Sequence, residues 1–80
     1  MGKDVRILEL SEEFQRSIAE SVKDPVMLAV LAQSPSNSVR ITAVTNPCIK
    51  TETLEEKLND EDEMVRWNVK RTLERRGKNI

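Results

Sequence analysis

Histidine and tyrosine are absent from this 80-residue chain, and cysteine occurs once. Without histidine there is no Cys–His nucleophile, and a lone Cys48 cannot close an intrachain disulfide. That cysteine usage fits a reducing compartment. Aromatic residues are limited to Phe14 and Trp67, so a core must be assembled from Val, Ile, Leu, Met and Ala. No apolar run reaches the length of a membrane helix, and the N-terminus lacks the pattern of a secretory signal. The cytoplasm is therefore the expected location. There is no phosphate loop and no metal-ligand spacing. The carboxylates at 55, 56 and 60–63 are sequence neighbours on a polar surface, with no cleft to draw them into a catalytic pair. No residue set supports a reaction, so neither catalysis nor a cofactor is expected.

Excess charge is also lacking. Thirteen Lys and Arg meet fourteen Asp and Glu, for a formal net charge of -1. The molecule as a whole exerts little long-range pull on nucleic acid or membrane. The distribution is uneven, however. Residues 51–63 hold Glu52, Glu55, Glu56, Asp60, Glu61, Asp62 and Glu63 against Lys57, whereas 64–80 carry Arg66, Lys70, Arg71, Arg75, Arg76 and Lys78 against Glu74.

What the chain does contain is a recurring phrase. Leu31 through Val39-Arg40 is echoed by Leu58 through Val65-Arg66, with the Val-Arg pairs 26 residues apart. Each copy ends an apolar helix, crosses a polar turn and restarts with Val-Arg. A fixed period of this size marks a helical repeat, which builds binding surfaces rather than reaction pockets.

The segments between can be read in turn. Asp4 to Leu10 reads as either an extended arm or the lead-in to a helix. Ser11 is placed as an N-cap, with Leu10, Phe14, Ile18 and Val22 recurring every four residues behind it. Asp24-Pro25 closes that helix and opens the next. Val26 to Ala32 has no polar face, which predicts a helix covered on more than one side, in the middle of the domain. Ser36 or Asn37 caps a third helix with Val39, Ala43 and Val44 inward, and Asn46-Pro47 stops it. Thr51 or Thr53 opens a fourth, Thr53 and Glu56 fitting a capping box, with Leu54 and Leu58 inward. Asp60 or Asp62 caps the last, where Val65, Val69, Thr72 and Leu73 share a face and Gly77 is a ready stop.

The run Val39-Arg40-Ile41-Thr42-Ala43-Val44-Thr45-Asn46-Pro47, followed by Leu54, Leu58 and Val65-Arg66, resembles the leucine-rich repeat variant, a relative of HEAT-type helical repeats. The resemblance spans about residues 26–76. It implies an all-α fold of about five short helices in a right-handed superhelical stack, a binding role and no catalysis. Residues 1–24 would form an N-terminal arm and capping helix. Residues 25–80 would form the repeat-like core and basic C-terminal helix of the same single domain. The first turn carries Ser34, Ser36 and Asn37 where acidic residues are usual, and the second copy lacks Asn-Pro, as a terminal capping repeat should. Some relatives hold an iron–sulfur cluster, for which Cys48 alone is insufficient.

Arg40 and Arg66 sit in first helical turns, where the helix dipole disfavours a cation. The preferred reading is that each guanidinium reaches back to carbonyls or acids of the preceding turn, with Asp60 and Asp62 as partners for Arg66. The alternative points both arginines at a ligand. On a helical wheel Trp67 lies nearly opposite Val65, Val69 and Leu73, beside Glu63, Lys70, Arg71 and Glu74. It reads as an interface anchor or as a cover for a neighbouring helix. The expected partner is another protein, with a homodimer as a variant because two repeats leave an unfinished stack. The rival is nucleic acid held by Arg71, Arg75, Arg76 and Lys78. The Met1 start and charged tail read as those of a complete small protein.

Overall fold

The computed structural model describes residues 5–78. Residues 1–4 of the expected arm lie outside them. A 3-10 turn, Val5–Glu9, leads into five α-helices: α1 (Glu12–Ser21), α2 (Pro25–Leu31), α3 (Asn37–Val44), α4 (Thr51–Glu56) and α5 (Glu63–Arg75). A second 3-10 turn, Lys57–Asn59, extends α4. There is no strand among the described residues.

Local chemistry explains most of the boundaries. Ser11 accepts the Phe14 amide, Asp24 the Val26 amide, Ser36 the Val39 amide, and Asp62 those of Met64 and Val65. Each is a side-chain N-cap, and Pro25 follows its cap at a position that needs no N–H. Helix α5 ends at Arg75 and is stopped by Gly77, whose φ of 83° suits the left-handed residue of a Schellman turn. The Gly77 amide bonds the Glu74 carbonyl and the Lys78 amide bonds that of Leu73. The Thr53–Glu56 capping box does not form. Helix α4 starts at Thr51 after Lys50, which provides no side-chain cap, so Thr53 is already inside the helix and is buried.

Helix α3 packs between α1 and α5, while α2 lies on α3, α1 and the first 3-10 turn, and α4 lies on α5. The apolar run of α2 is therefore not the centre of the molecule. Leu28 and Leu31 are fully buried, but Val26 remains 50% exposed. The central place falls to α3, whose Val39, Ala43 and Val44 are fully buried and which packs against α1, α2 and α5. Helix α1 uses a different face from its four-residue apolar stripe. Gln15 and Ala19 are buried and Ile18 and Val22 are packed on the core, whereas Leu10 and Phe14 are exposed. In α5 the inward set is Val65, Val69, Thr72 and Leu73. The radius of gyration, 11.7 Å, matches the roughly 11.6 Å of a compact chain of this length.

Candidate interaction surface

Three helix starts are joined by one continuous polar ladder. Gln15, Arg40 and Arg66 each stand four residues after a cap, at Ser11, Ser36 and Asp62. Each side chain reaches back to a carbonyl of the turn it has just left. Gln15 Nε2 donates to the Leu8 and Leu10 carbonyls at 3.1 and 2.7 Å. Arg40 Nη1 donates to the Ser34 carbonyl and Arg66 Nη1 to the Asp60 carbonyl, both at 2.7 Å. These bonds hold each turn against its own helix and give the cation a local acceptor.

The rungs between helices come from the residue two before each cap. Ser34 Oγ donates to Gln15 Oε1 at 2.8 Å. Asp60 takes the same place in the next turn. Its Oδ2 accepts Arg40 Nε at 3.0 Å and Lys57 Nζ at 3.2 Å, and its Oδ1 accepts Arg40 Nη2 at 3.2 Å. The bidentate pair is desolvated: the Arg40 and Asp60 side chains are 8% and 2% exposed. Burial resists ionisation of Asp60, but hydrogen bonds from the Asp62 amide, Lys57 and Arg40 outweigh it, and its carboxyl lies below the ordinary carboxylate value.

Asp60 thus serves Arg40 with its carboxylate and Arg66 only with its main chain. Nor is Asp62 a partner of Arg66. Its Oδ1 caps α5 and its Oδ2 accepts Asn37 Nδ2 from α3 at 2.6 Å. That bond and the Val65 amide lower its carboxyl. A second tie crosses farther along. Asn46 Nδ2 donates to the Ala19 and Val22 carbonyls and Thr72 Oγ1 to the Val44 carbonyl. A polar cleft of about 550 Å³ opens over the rungs beside Pro35, Arg40, Lys57 and Asp60. Its charged groups are spent on one another.

The outer face of α5 is different. Trp67 is 50% exposed and Met64, one turn earlier, 52%. The Arg71 guanidinium carbon stands 4.8 Å from the Trp67 ring centroid, a cation–π contact that holds the ring while leaving it wet. Lys70, Arg71 and Glu74 are exposed beside it. An exposed aromatic stiffened by a cation and ringed by charges has the make-up of an interface anchor. The remaining cations of the basic helix point elsewhere. Arg76 donates to Thr51 Oγ1 and the Pro47 carbonyl, and Lys78 lies 3.8 Å from Glu55. Arg75 Nη2 lies 3.5 Å from Thr72 Oγ1.

Sequence reasoning missed Gln15, Ser34, Lys57 and Met64. Gln15 has a readable signal, because it stands four after a serine cap as Arg40 does. Met64 has one too, three residues before Trp67. Lys57 stands out in the sequence as the one cation of the acidic block, but nothing there assigns it to Asp60.

The folded chain defines an all-helical domain in which three capped helices are tied in series. Comparison with protein-family models, curated proteins and solved structures gives no match. No helix among the described residues is long and apolar enough to cross a membrane.

Proposed function

We propose that this chain is a noncatalytic protein-binding module of helical-repeat build, and that it binds through the outer face of α5. The observation that carries the reading is Trp67, half exposed beside Met64 and braced by Arg71. Burial of such a ring against a partner supplies more contact energy than any other side chain on this face.

The repeat build is supported by the register of the ladder. Val39 and Val65 are both fully buried, both follow their caps by three residues and both bond them. This likeness supports kinship in design with the leucine-rich repeat variant and a right-handed stack of the HEAT-like kind. Nucleic-acid binding is the weaker reading, since Arg76 and Lys78 are engaged with the α4 side.

The test pairs two measurements. Immobilised wild type and Trp67→Ala are challenged with extract of the source cell, and wild type is titrated with a single-stranded oligonucleotide. The module reading expects proteins retained by wild type and lost with Trp67→Ala, and no oligonucleotide binding at low salt. Identical retention by both proteins overturns it. So does steeply salt-dependent oligonucleotide binding whose slope falls on Arg71→Gln.

A further inference from the structure

The ladder has two ends, and their residues are counterparts. Three residues after the cap stand Phe14, Val39 and Val65. The two valines are fully buried, while Phe14 is 54% exposed. Five after the cap stand Arg16, Ile41 and Trp67. Arg16 Nη1 reaches Ser38 Oγ on α3 and Ile41 packs on the core, while Trp67 stays half exposed. Helix α1 thus lacks a predecessor on its Phe14 side, and α5 lacks a successor on its Trp67 side, among the described residues.

The polar positions match as well. Two before the cap stand Glu9, Ser34 and Asp60. Ser34 bonds Gln15 of α1 and Asp60 bonds Arg40 of α3, while Glu9 is exposed. Four after the cap, Arg40 uses Nε and Nη2 on Asp60. Arg66 makes its Nη1 bond only, and its Nε and Nη2 meet no partner among the described residues. Ten after the cap, Asn46 and Thr72 donate to the carbonyls of Ala19 and Val44. Ser21, a hydroxyl, holds that place on α1, and Lys70 carries the corresponding carbonyl on α5. The α1 end carries Glu9, Glu12 and Glu13 beside Arg6, with Glu12 paired to Arg16, and the α5 end carries Arg66, Lys70 and Arg71 beside Glu63 and Glu74, so the balance is acidic on α1 and basic on α5.

We propose that copies of this chain associate head to tail, α5 of one copy receiving α1 of the next. Trp67 packs over Phe14, and the open side of the Arg66 fork takes Glu9 as Arg40 takes Asp60. The proposal rests on the reading of the α5 face as a protein-binding surface and names its occupant as a second copy. The contact is heterologous, so assembly grows into a chain or closes into a ring rather than stopping at a two-fold dimer.

Sedimentation of the full chain from micromolar to millimolar concentration tests this. Wild type should gain mass with concentration and pass beyond a dimer. Trp67→Glu and Phe14→Glu should each weaken self-association by about 30-fold or more, as loss of a central anchor does. Both side chains are exposed, and a glutamate three after Ser11 suits a capping box, so circular dichroism should stay native. Each variant keeps one working end. An equimolar mixture of the two should form a one-to-one pair that grows no further. Glu9→Lys should weaken wild-type assembly, and added salt should do likewise.

A monomeric wild type over the whole range overturns the proposal. So does a Phe14→Glu protein that still dimerises like wild type, since that means α5 packs on α5. If wild type is monomeric yet retains extract proteins in a Trp67-dependent way, head-to-tail pairing fails and the binding reading stands. If Trp67-dependent retention is lost too, both fail.

Discussion

Replacing Asp60 with asparagine removes one negative charge from a cluster that has been built around it. The carboxylate accepts Arg40 twice, Lys57 once and the Asp62 amide at 2.9 Å. Asparagine preserves the shape and one carbonyl acceptor. Its amide group presents hydrogens to the guanidinium, so one arm of the Arg40 fork loses its acceptor. Arg40 is then left desolvated, keeping the Ser34 carbonyl at 2.7 Å and the more distant charges of Glu61, at 4.0 Å, and Asp62. Breaking a buried pair from one side costs about 3–5 kcal/mol. The cleft above Asp60 admits water, so the lower end applies, about 3 kcal/mol at neutral pH. For a domain of this size that is a melting shift of about 15 °C. Urea unfolding followed by far-ultraviolet circular dichroism reads it out. The pH dependence sharpens the test. Asp60 has its carboxyl lowered on folding, so its stabilisation is complete above the unfolded value of about 3.9 and lost as pH falls through the folded value. Wild type and Asp60→Asn should therefore converge in acid. A difference under about 1 kcal/mol at neutral pH, or one that persists unchanged in acid, refutes the reasoning.

Asn46→Ala should cost about 2–3 kcal/mol in the same unfolding assay, because the side chain bonds the Ala19 and Val22 carbonyls and accepts the Cys48 amide. Gly77→Ala should cost about 1 kcal/mol; space is open there, but the positive φ penalises a Cβ. Trp67→Ala should change unfolding stability by less than about 1 kcal/mol, since the ring is half exposed and holds only a cation–π contact with Arg71.

The caps and the buried valines were legible in the sequence because they depend on neighbours within a few residues. Ser11, Asp24 and Gly77 act through bonds that their own segment supplies. The inward face of α5 was legible for the same reason, through a period of 3.6 residues. Position in the stack was not. The apolar run of α2 reads as a centre, yet the centre is α3, which has fewer apolar residues but packs against three helices, α1, α2 and α5. Partners across turns were equally hidden. Asp60 and Arg66 are close in sequence, and the carboxylate nonetheless goes to Arg40, 20 residues earlier. A rung is set by which helix lies alongside, and that is a tertiary fact. The exposure of Trp67 could be drawn on a wheel, but the absence of a covering helix among the described residues could not.

The ladder depends on the arginine at one helix start being held by the acid of the next turn, and Arg66, its last rung, is open at Nε and Nη2 among the described residues. Exchange of the arginine side-chain Nε protons with water, measured by nuclear magnetic resonance at low protein concentration, addresses that directly. Arg40 should exchange slowly because its Nε–H is locked on Asp60 and buried, and Arg66 should exchange rapidly. Rapid exchange at Arg40, or equal protection at both, would contradict it.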